Sequence, residues 1–348
     1  ETFLKNLRKL GELGLMAINC KEQYGGSEAG VIAFSLAVTE IGKACASTGV
    51  TMSVNNMCCE VIQAIGTEEQ KKAYIPKIAS GEYYAGGFGL TETMAGSDPS
   101  GMRTTAVLDG DSWVLNGTKI FITSAEYAGV FVVWAITDPK APKGKGISTF
   151  LVENGVKGFT IGRAEHKMGQ HASATNELLF EDCRIPKTAL MGKVNDGFRT
   201  AVGELAGGRI GIGSLGLGIG QAAIEYATKY AMNRFQFDQP ITNFQAIQWM
   251  IAESYTELEA ARLLLMNAAF KKENGKFFAR EASMAKYYAT EAAERACHKA
   301  IQMLGGYGYT NEFPVERYAR DVRITSIYEG TNQVQRLIIA RDILSSLK

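Results

Sequence analysis

Over the first eighty residues the apolar positions recur at helical spacing. Leu7, Leu10, Leu13 and Leu15 to Met16 share one face, and the stretch from Val31 to Ile41 repeats at three- and four-residue intervals. Gly25 and Gly26 break the pattern between them. From about Tyr84 to Lys193 the period shortens, and β-rich runs predict strands at Thr104 to Leu108, Trp113 to Leu115, Lys119 to Thr123, Val130 to Ile136, Ile147 to Val152 and Leu178 to Phe180. Asp109-Gly110 and Asn116-Gly117 separate the early runs and predict hairpin turns, because both pairs tolerate positive φ. Beyond Gly197 the helical period returns and holds nearly to the end. Ile247, Ile251, Ser254, Leu258, Ala261 and Leu265 alternate by four and three, which places them on one face of a packed helix. The order is helical, β, helical, an α+β chain that is mainly α. No strand-helix alternation and no GxGxxG opening a helix after a strand point to a parallel nucleotide-binding sheet.

The chain has 348 residues, enough for two or three domains and an enclosed cofactor site. Lys plus Arg number 37 against 36 Asp plus Glu, so no electrostatic drive toward nucleic acid or an anionic membrane is expected, and a phosphate-bearing ligand must be held by local features. The longest apolar runs, Val130 to Ile136 and Leu263 to Met266, fall far short of the roughly 20 residues of a membrane-spanning helix. Cys20, Cys45, Cys58, Cys59, Cys183 and Cys297 form no CxxC pair, and His166, His171 and His298 do not fall at metal-ligand spacing. Neither a metal site nor a disulfide framework is expected. The opening at Glu1, inside a helical pattern already under way and without a signal segment, leads us to expect that the N-terminal helical region lacks its first helix.

Four segments carry candidate chemistry. Gly89-Leu90-Thr91-Glu92-Thr93-Met94-Ala95-Gly96-Ser97-Asp98 exposes amides and hydroxyls that can cradle phosphate or the polar edge of a flat heterocycle. Lys119 to Ala125 is a strand ending in hydroxyl residues, with Phe121 and Thr123 on one face by alternation. Gln302 to Tyr309 is glycine-rich, allowing a backbone to approach a bulky ligand. In Ile327 to Arg336 a carboxylate, Glu329, precedes Gly330 and the helix cap Thr331. Taken singly, these would pass as a polar turn, a core strand, a helix stop and a solvated capping residue.

Together they resemble the acyl-CoA dehydrogenase family, and the resemblance runs along essentially the whole chain. Leu90 to Asp98 matches the family's LTEPGAGSD except that Thr93 and Met94 replace Pro and Gly. Arg234 to Asp238 resembles RxxFG with Asp238 in place of Gly, and Leu205 to Arg209 resembles LDxGR with Ala206 in place of Asp. The resemblance implies an N-terminal helical domain over 1–83, a middle β domain of barrel or sandwich type over 84–195, and a C-terminal four-helix bundle over 196–348. It implies FAD, contacted by Phe88, Leu90, Thr91, Gly96 and Ser97, with Phe121, where the family often has Trp, and Thr123 flanking its ring. Arg234, Gln245, Gln302, Gly305 and Gly306 would reach FAD across a subunit interface of a homotetramer, and Thr331 and Gln333 would complete the site. Ser97, Arg209 and Gly330 would contact substrate.

The implied reaction is α,β-dehydrogenation of an acyl-CoA thioester to the 2-enoyl-CoA. The Glu329 backbone amide and an FAD hydroxyl would polarise the carbonyl, Glu329 would take the α-proton, and the β-hydrogen would leave as hydride to the flavin. Some relatives place the base just before the Arg of LDxGR, which here is Gly208, leaving Glu329 without a rival. Desolvation should raise the carboxyl's pKa by more than the adjacent helix dipole lowers it. Thr48 to Asn56 looks like the short-chain, butyryl-type members and implies a short, branched or cyclic acyl group. An electron-transferring flavoprotein is the implied redox partner, in fatty-acid β-oxidation in a bacterial cytoplasm or the mitochondrial matrix. Two alternatives are an acyl-CoA oxidase that passes electrons to oxygen and a catalytically silent flavoprotein used as an interaction module.

Overall fold

The computed structural model describes residues 1–347, without the side chains at 202 and 204. The chain divides into two compact units. The first comprises residues 1–30, 51–166 and 172–205, and the second residues 31–50, 167–171 and 206–348.

The first unit is built on an eight-stranded sheet with strands β1 Ala85–Gly89, β2 Thr105–Asp109, β3 Ser112–Thr123, β4 Ala128–Ile136, β5 Ile147–Glu153, β6 Phe159–Ala164, β7 Thr175–Pro186 and β8 Leu190–Met191. The strand order is β6-β7-β3-β2-β4-β5-β8, with β1 paired in parallel to β4. That path is open at β6 and β8 and does not close into a barrel. Inward residues of facing strands form its core, where Phe159 stacks on Phe180 and meets Phe131 edge-on, and Trp113 meets Phe150 edge-on.

Asp109-Gly110 makes the expected hairpin between β2 and β3, with Gly110 at φ +59°. Asn116-Gly117 is different: it lies inside β3 as a bulge rather than forming a turn. Gly117 has φ +142°, and a Cβ there would sit 2.6 Å from Thr104 Oγ1, so the glycine serves a close approach within one long strand. Three strands of this sheet went unpredicted, the glycine-rich β1, β6 and the two-residue β8. Also in this unit, α4 Glu68–Ala79 begins with a capping box, Thr67 Oγ1 accepting from Gln70 N and Gln70 Oε1 accepting from Thr67 N.

The second unit is helical. It holds most of α5 Gly197–Asn233, then α6 Gln245–Glu273, α7 Ala279–Leu304, α8 Val315–Arg323 and α9 Asn332–Ser346. On α6 the predicted face holds, with Ser254, Leu258, Ala261 and Leu265 buried. The buried face of α7 is rich in alanine: Ala282, Ala285, Ala289, Ala292, Ala293, Ala296 and Ala300 are all fully buried, alongside Ser283, Lys286, Thr290 and Cys297. Such small side chains let α5 come close, and its glycines meet them. A Cβ at Gly213 would lie 3.3 Å from the Lys286 Cα, and one at Gly220 2.9 Å from the Ala293 Cα. This seam sets the height of Arg209, one turn before Gly213, against Ser283 and Lys286. Among the described residues no helix is long and apolar enough to cross a membrane.

Candidate active site

Glu329 stands at the turn that leads into α9. Its φ is +56° and that of Gly330 is +84°, two consecutive left-handed residues. A glutamate held there carries a cost of order 1–2 kcal/mol, so its surroundings must impose the conformation. Two side chains do so. Gln335 Nε2 donates to the Glu329 carbonyl at 3.3 Å and to the Gly330 carbonyl at 2.8 Å, and Lys286 Nζ donates to the same Gly330 oxygen at 2.9 Å. Thr331 caps α9, its Oγ1 accepting from Val334 N at 3.3 Å.

Although Glu329 is partly exposed as a residue, its Oε2 is fully enclosed and has no hydrogen-bond partner among the described residues. Burial pushes the carboxyl up to about 7, against the pull of the Arg209 and Lys286 charges. Arg209, on α5, is 6% exposed; its Nη1 reaches Ser283 Oγ at 3.4 Å, and its Nε is buried without a partner among the described residues. Burial draws the guanidinium below its usual range, opposed by Glu329. Lys286 is fully buried, and burial pulls its ammonium down to about 7, again opposed by Glu329. The group that results is a carboxylate basic enough to take a proton near neutral pH, with an oxygen free to receive it.

At Ala206, where the family motif has Asp, the side chain is buried, and Gly208 is buried too. Gln333 is exposed on the first turn of α9.

Elsewhere in the second unit, Arg234, Gln302, Gly305 and Gly306 come together around an open groove of about 440 Å³, with Tyr230 and Tyr307 in its wall. A Cβ built on Gly305 or Gly306 meets nothing within 4 Å, so bare backbone faces open space. The Arg234 guanidinium lies 5.8 Å over the Tyr307 ring. Arg234 precedes a hairpin of β9 Phe235–Gln236 and β10 Gln239–Pro240, whose turn residues Phe237 and Asp238 have φ +53° and +60°. Asp238 thus adopts the left-handed conformation for which the family motif uses glycine. Gln245 is exposed at the start of α6.

In the first unit the Leu90 to Asp98 loop is anchored by a buried ion pair: Lys119 Nζ donates to Glu92 Oε1 at 2.7 Å and to the Leu90 carbonyl at 3.3 Å. Glu92 and Ala95 close the turn by reciprocal backbone bonds, and Ile120 N donates to the Thr91 carbonyl at 2.9 Å. This arrangement leaves Gly96 and Ser97 exposed, with open space beside Gly96 where a side chain would go. Phe88 on β1 lies 4.5 Å from Trp134 on β4. Beyond Lys119, a bulge in β3 gives Phe121 φ +56° and leaves it 60% exposed, while Ile122 between it and Thr123 is buried. Asn55 and Asn56, at the end of the segment read for chain length, are buried on α3 Ala46–Ile65. There they serve the backbone, Asn55 Oδ1 accepting from Gly86 N and Asn56 Oδ1 from Ile18 N.

Sequence reasoning missed Lys286, Ser283, Asn332 and Gln335 around Glu329. One signal was available: a lysine standing on an alanine-rich face at helical spacing.

Comparison with known proteins bears on the whole chain. Residues 2–82, 87–183 and 195–344 match the N-terminal, middle and C-terminal domains of acyl-CoA dehydrogenase. The chain is 49% identical to the mitochondrial short-chain specific acyl-CoA dehydrogenase of Bos taurus, over 98% of this chain and 83% of that one. Among solved structures it resembles butyryl-CoA dehydrogenase from Megasphaera elsdenii, with TM-score 0.94 and 41% identity over 97% of this chain and 89% of the other. It also resembles a chain of the structure described as the electron transferring flavoprotein of Acidaminococcus fermentans, with TM-score 0.96 and 47% identity over 98% and 89%. With all three domain types matched in order and near-complete relatives at this level of identity, the chain belongs to the acyl-CoA dehydrogenase family.

Proposed function

We propose that this chain is an FAD-dependent dehydrogenase of short-chain acyl-CoA, with Glu329 as the base that takes the α-proton. The observation that carries the assignment is the Glu329 carboxyl itself, one oxygen enclosed and unpartnered, poised between Arg209 and Lys286 on a left-handed turn. Open backbone at Gly96 with the exposed ring of Phe121 in the first unit, and separately the open backbone at Gly305 and Gly306 in the second, are features that suit the FAD assignment. Phe88, Leu90, Thr91, Ser97, Arg234, Gln245, Gln302, Thr331 and Gln333 are the other residues assigned to hold it.

When bound, FAD supplies the acceptor for the β-hydride. Glu329 receives the α-proton on its free oxygen. A carboxyl near its usual 4.5 would be a poor match to this task; at about 7 it is half-ionised at neutral pH and its carboxylate is a markedly better proton acceptor. Arg209 and Gly330 are assigned to bind substrate with Ser97. The Thr48 to Asn56 segment favours a short acyl group, and branched and cyclic acids of similar size belong in the same specificity panel. A homotetramer and an electron-transferring flavoprotein as redox partner complete the reading.

Glu329→Gln should retain yellow FAD and bind acyl-CoA, yet slow flavin bleaching by roughly 10²–10⁴-fold, the span typical of positioned proton transfer. In the parent the rate should rise with pH through an inflection near 7, because only the ionised carboxylate accepts the proton. Bleaching of the Glu329→Gln flavin at the parent rate would refute the base. A specificity constant that climbs steadily from butyryl- to long-chain CoA would refute the substrate class.

A further inference from the structure

Lys286 is a long charged side chain set among the alanines of α7, and it is fully buried. Burying an ammonium is costly unless its protons and its charge are both matched. Its protons go to two neutral oxygens, the Gly330 carbonyl at 2.9 Å and Asn332 Oδ1 at 3.0 Å. Both belong to the segment that follows Glu329. Asn332 is itself fixed, its Nδ2 donating to Thr290 Oγ1 at 3.0 Å, and that hydroxyl donates back to the Lys286 carbonyl at 2.9 Å. The network therefore clamps the start of α9 to α7 through Lys286 together with Thr290.

Neutral donors would serve such a clamp as well, since the acceptors are neutral. The positive charge needs a separate reason, and of the two anions it faces, Glu329 and Glu291, the second is already paired with Arg336. We propose that Lys286 is a positioning residue for the base: its bonds to Gly330 and Asn332 hold the left-handed turn that aims Glu329, and its charge keeps that carboxylate ionised in a buried site. The inference rests on Glu329 being the base. The other groups facing these two are Arg209 from α5 and Tyr328 on the same turn, which face Glu329, and Glu291 one turn along α7, which faces Lys286 while bonded to Arg336 at 2.7 Å.

Lys286→Gln keeps a donor at this position without the charge, whereas Lys286→Met removes both. The flavin-loaded parent and both variants are mixed with butyryl-CoA in single-turnover bleaching across a pH series, with Glu329→Gln as control. Loss of the charge should move the acid inflection up by about one pH unit in both variants, a rate roughly tenfold lower on the acid limb. At alkaline pH Lys286→Gln should approach the parent, and only Lys286→Met should stay slow, because only it loses the clamp. A second readout needs no turnover: the infrared carboxyl band that Glu329→Gln abolishes should persist to higher pH in Lys286→Gln than in the parent. An unchanged inflection with a uniform rate loss would overturn the proposal, and so would loss of flavin from both variants, which would make Lys286 a determinant of the fold. If Glu329→Gln bleaches at the parent rate, the base assignment fails instead, and Lys286 has nothing to position.

Discussion

Lys119→Met tests whether the buried pair under the Leu90 to Asp98 loop acts through charge. Lys119 is completely buried and Glu92 is 7% exposed. Glu92 also accepts from the backbone amides of Arg103 at 2.5 Å and Thr104 at 3.0 Å. Burial pulls the Lys119 ammonium from 10.5 down to about 8 in spite of the carboxylate beside it. For Glu92, burial alone would raise the carboxyl, but Lys119 and the backbone donors outweigh it and hold it below the usual range. A lysine whose folded pKa is lowered stabilises the fold fully only above its unfolded value and loses that contribution as pH falls through about 8. At neutral pH this amounts to about 3 kcal/mol set against folding. Glu92 works the other way, its contribution present above its unfolded pKa and lost as pH falls through the depressed folded one.

The pair as a whole is therefore no great source of stability, yet breaking it strands a carboxylate. Methionine fills most of the volume, so the loss on Lys119→Met should be chiefly electrostatic, about 3–5 kcal/mol at neutral pH. It should shrink as pH is lowered into the acid range, where the stranded Glu92, pushed up by burial once its partner is gone, takes up a proton. Adding Glu92→Gln should recover at least half of it. Urea unfolding followed by tryptophan fluorescence reports this unit through Trp113 and Trp134. If the double variant is no more stable than Lys119→Met at any pH, the stranded-charge argument is wrong and Lys119 matters as packing.

The seam between α5 and α7 predicts that Gly220→Ala costs about 1–3 kcal/mol, since its Cβ would fall 2.9 Å from both the Ala293 Cα and Leu258 Cδ2; an unchanged melting temperature would show that the helices can part freely. Gly330→Ala combines a left-handed backbone at φ +84° with a Cβ 2.6 Å from Gln335 Nε2, so it should slow flavin bleaching about tenfold or more while FAD is retained. Parent-like bleaching in that variant would mean that the turn need not be held as it is.

The helical-β-helical order, the Asp109-Gly110 hairpin and the buried stripe of α6 were legible because each is dictated by neighbours a few residues away. What was not legible depends on distant partners. Ala85 to Gly89 reads as a flexible glycine run and becomes a strand only through parallel pairing with β4, some forty residues on. Asn116-Gly117 has the composition of a turn, but the approach of Thr104 makes it a bulge inside β3. Around Glu329, the sequence showed the carboxylate, the glycine and the cap as one local motif. Lys286 lies 44 residues from Gly330, and a lysine on a helix reads as solvated until the glycines opposite show how closely α5 packs there.

Those glycines also bear on how this unit folds. Between Gly207 and Gly220, α5 carries seven glycines, each worth roughly 1 kcal/mol less than alanine in a helix interior, so this stretch is an unfavourable helix by itself. An excised peptide spanning it should show little helicity in water. Its order is drawn from the segments packed on it, α7 at Gly213, Gly216 and Gly220 and the Thr39 to Lys43 stretch at Gly218, so the helix bearing Arg209 depends on the packing of the one bearing Lys286. The two cations that flank Glu329 should then become ordered together, and a variant that parts the two helices should displace both.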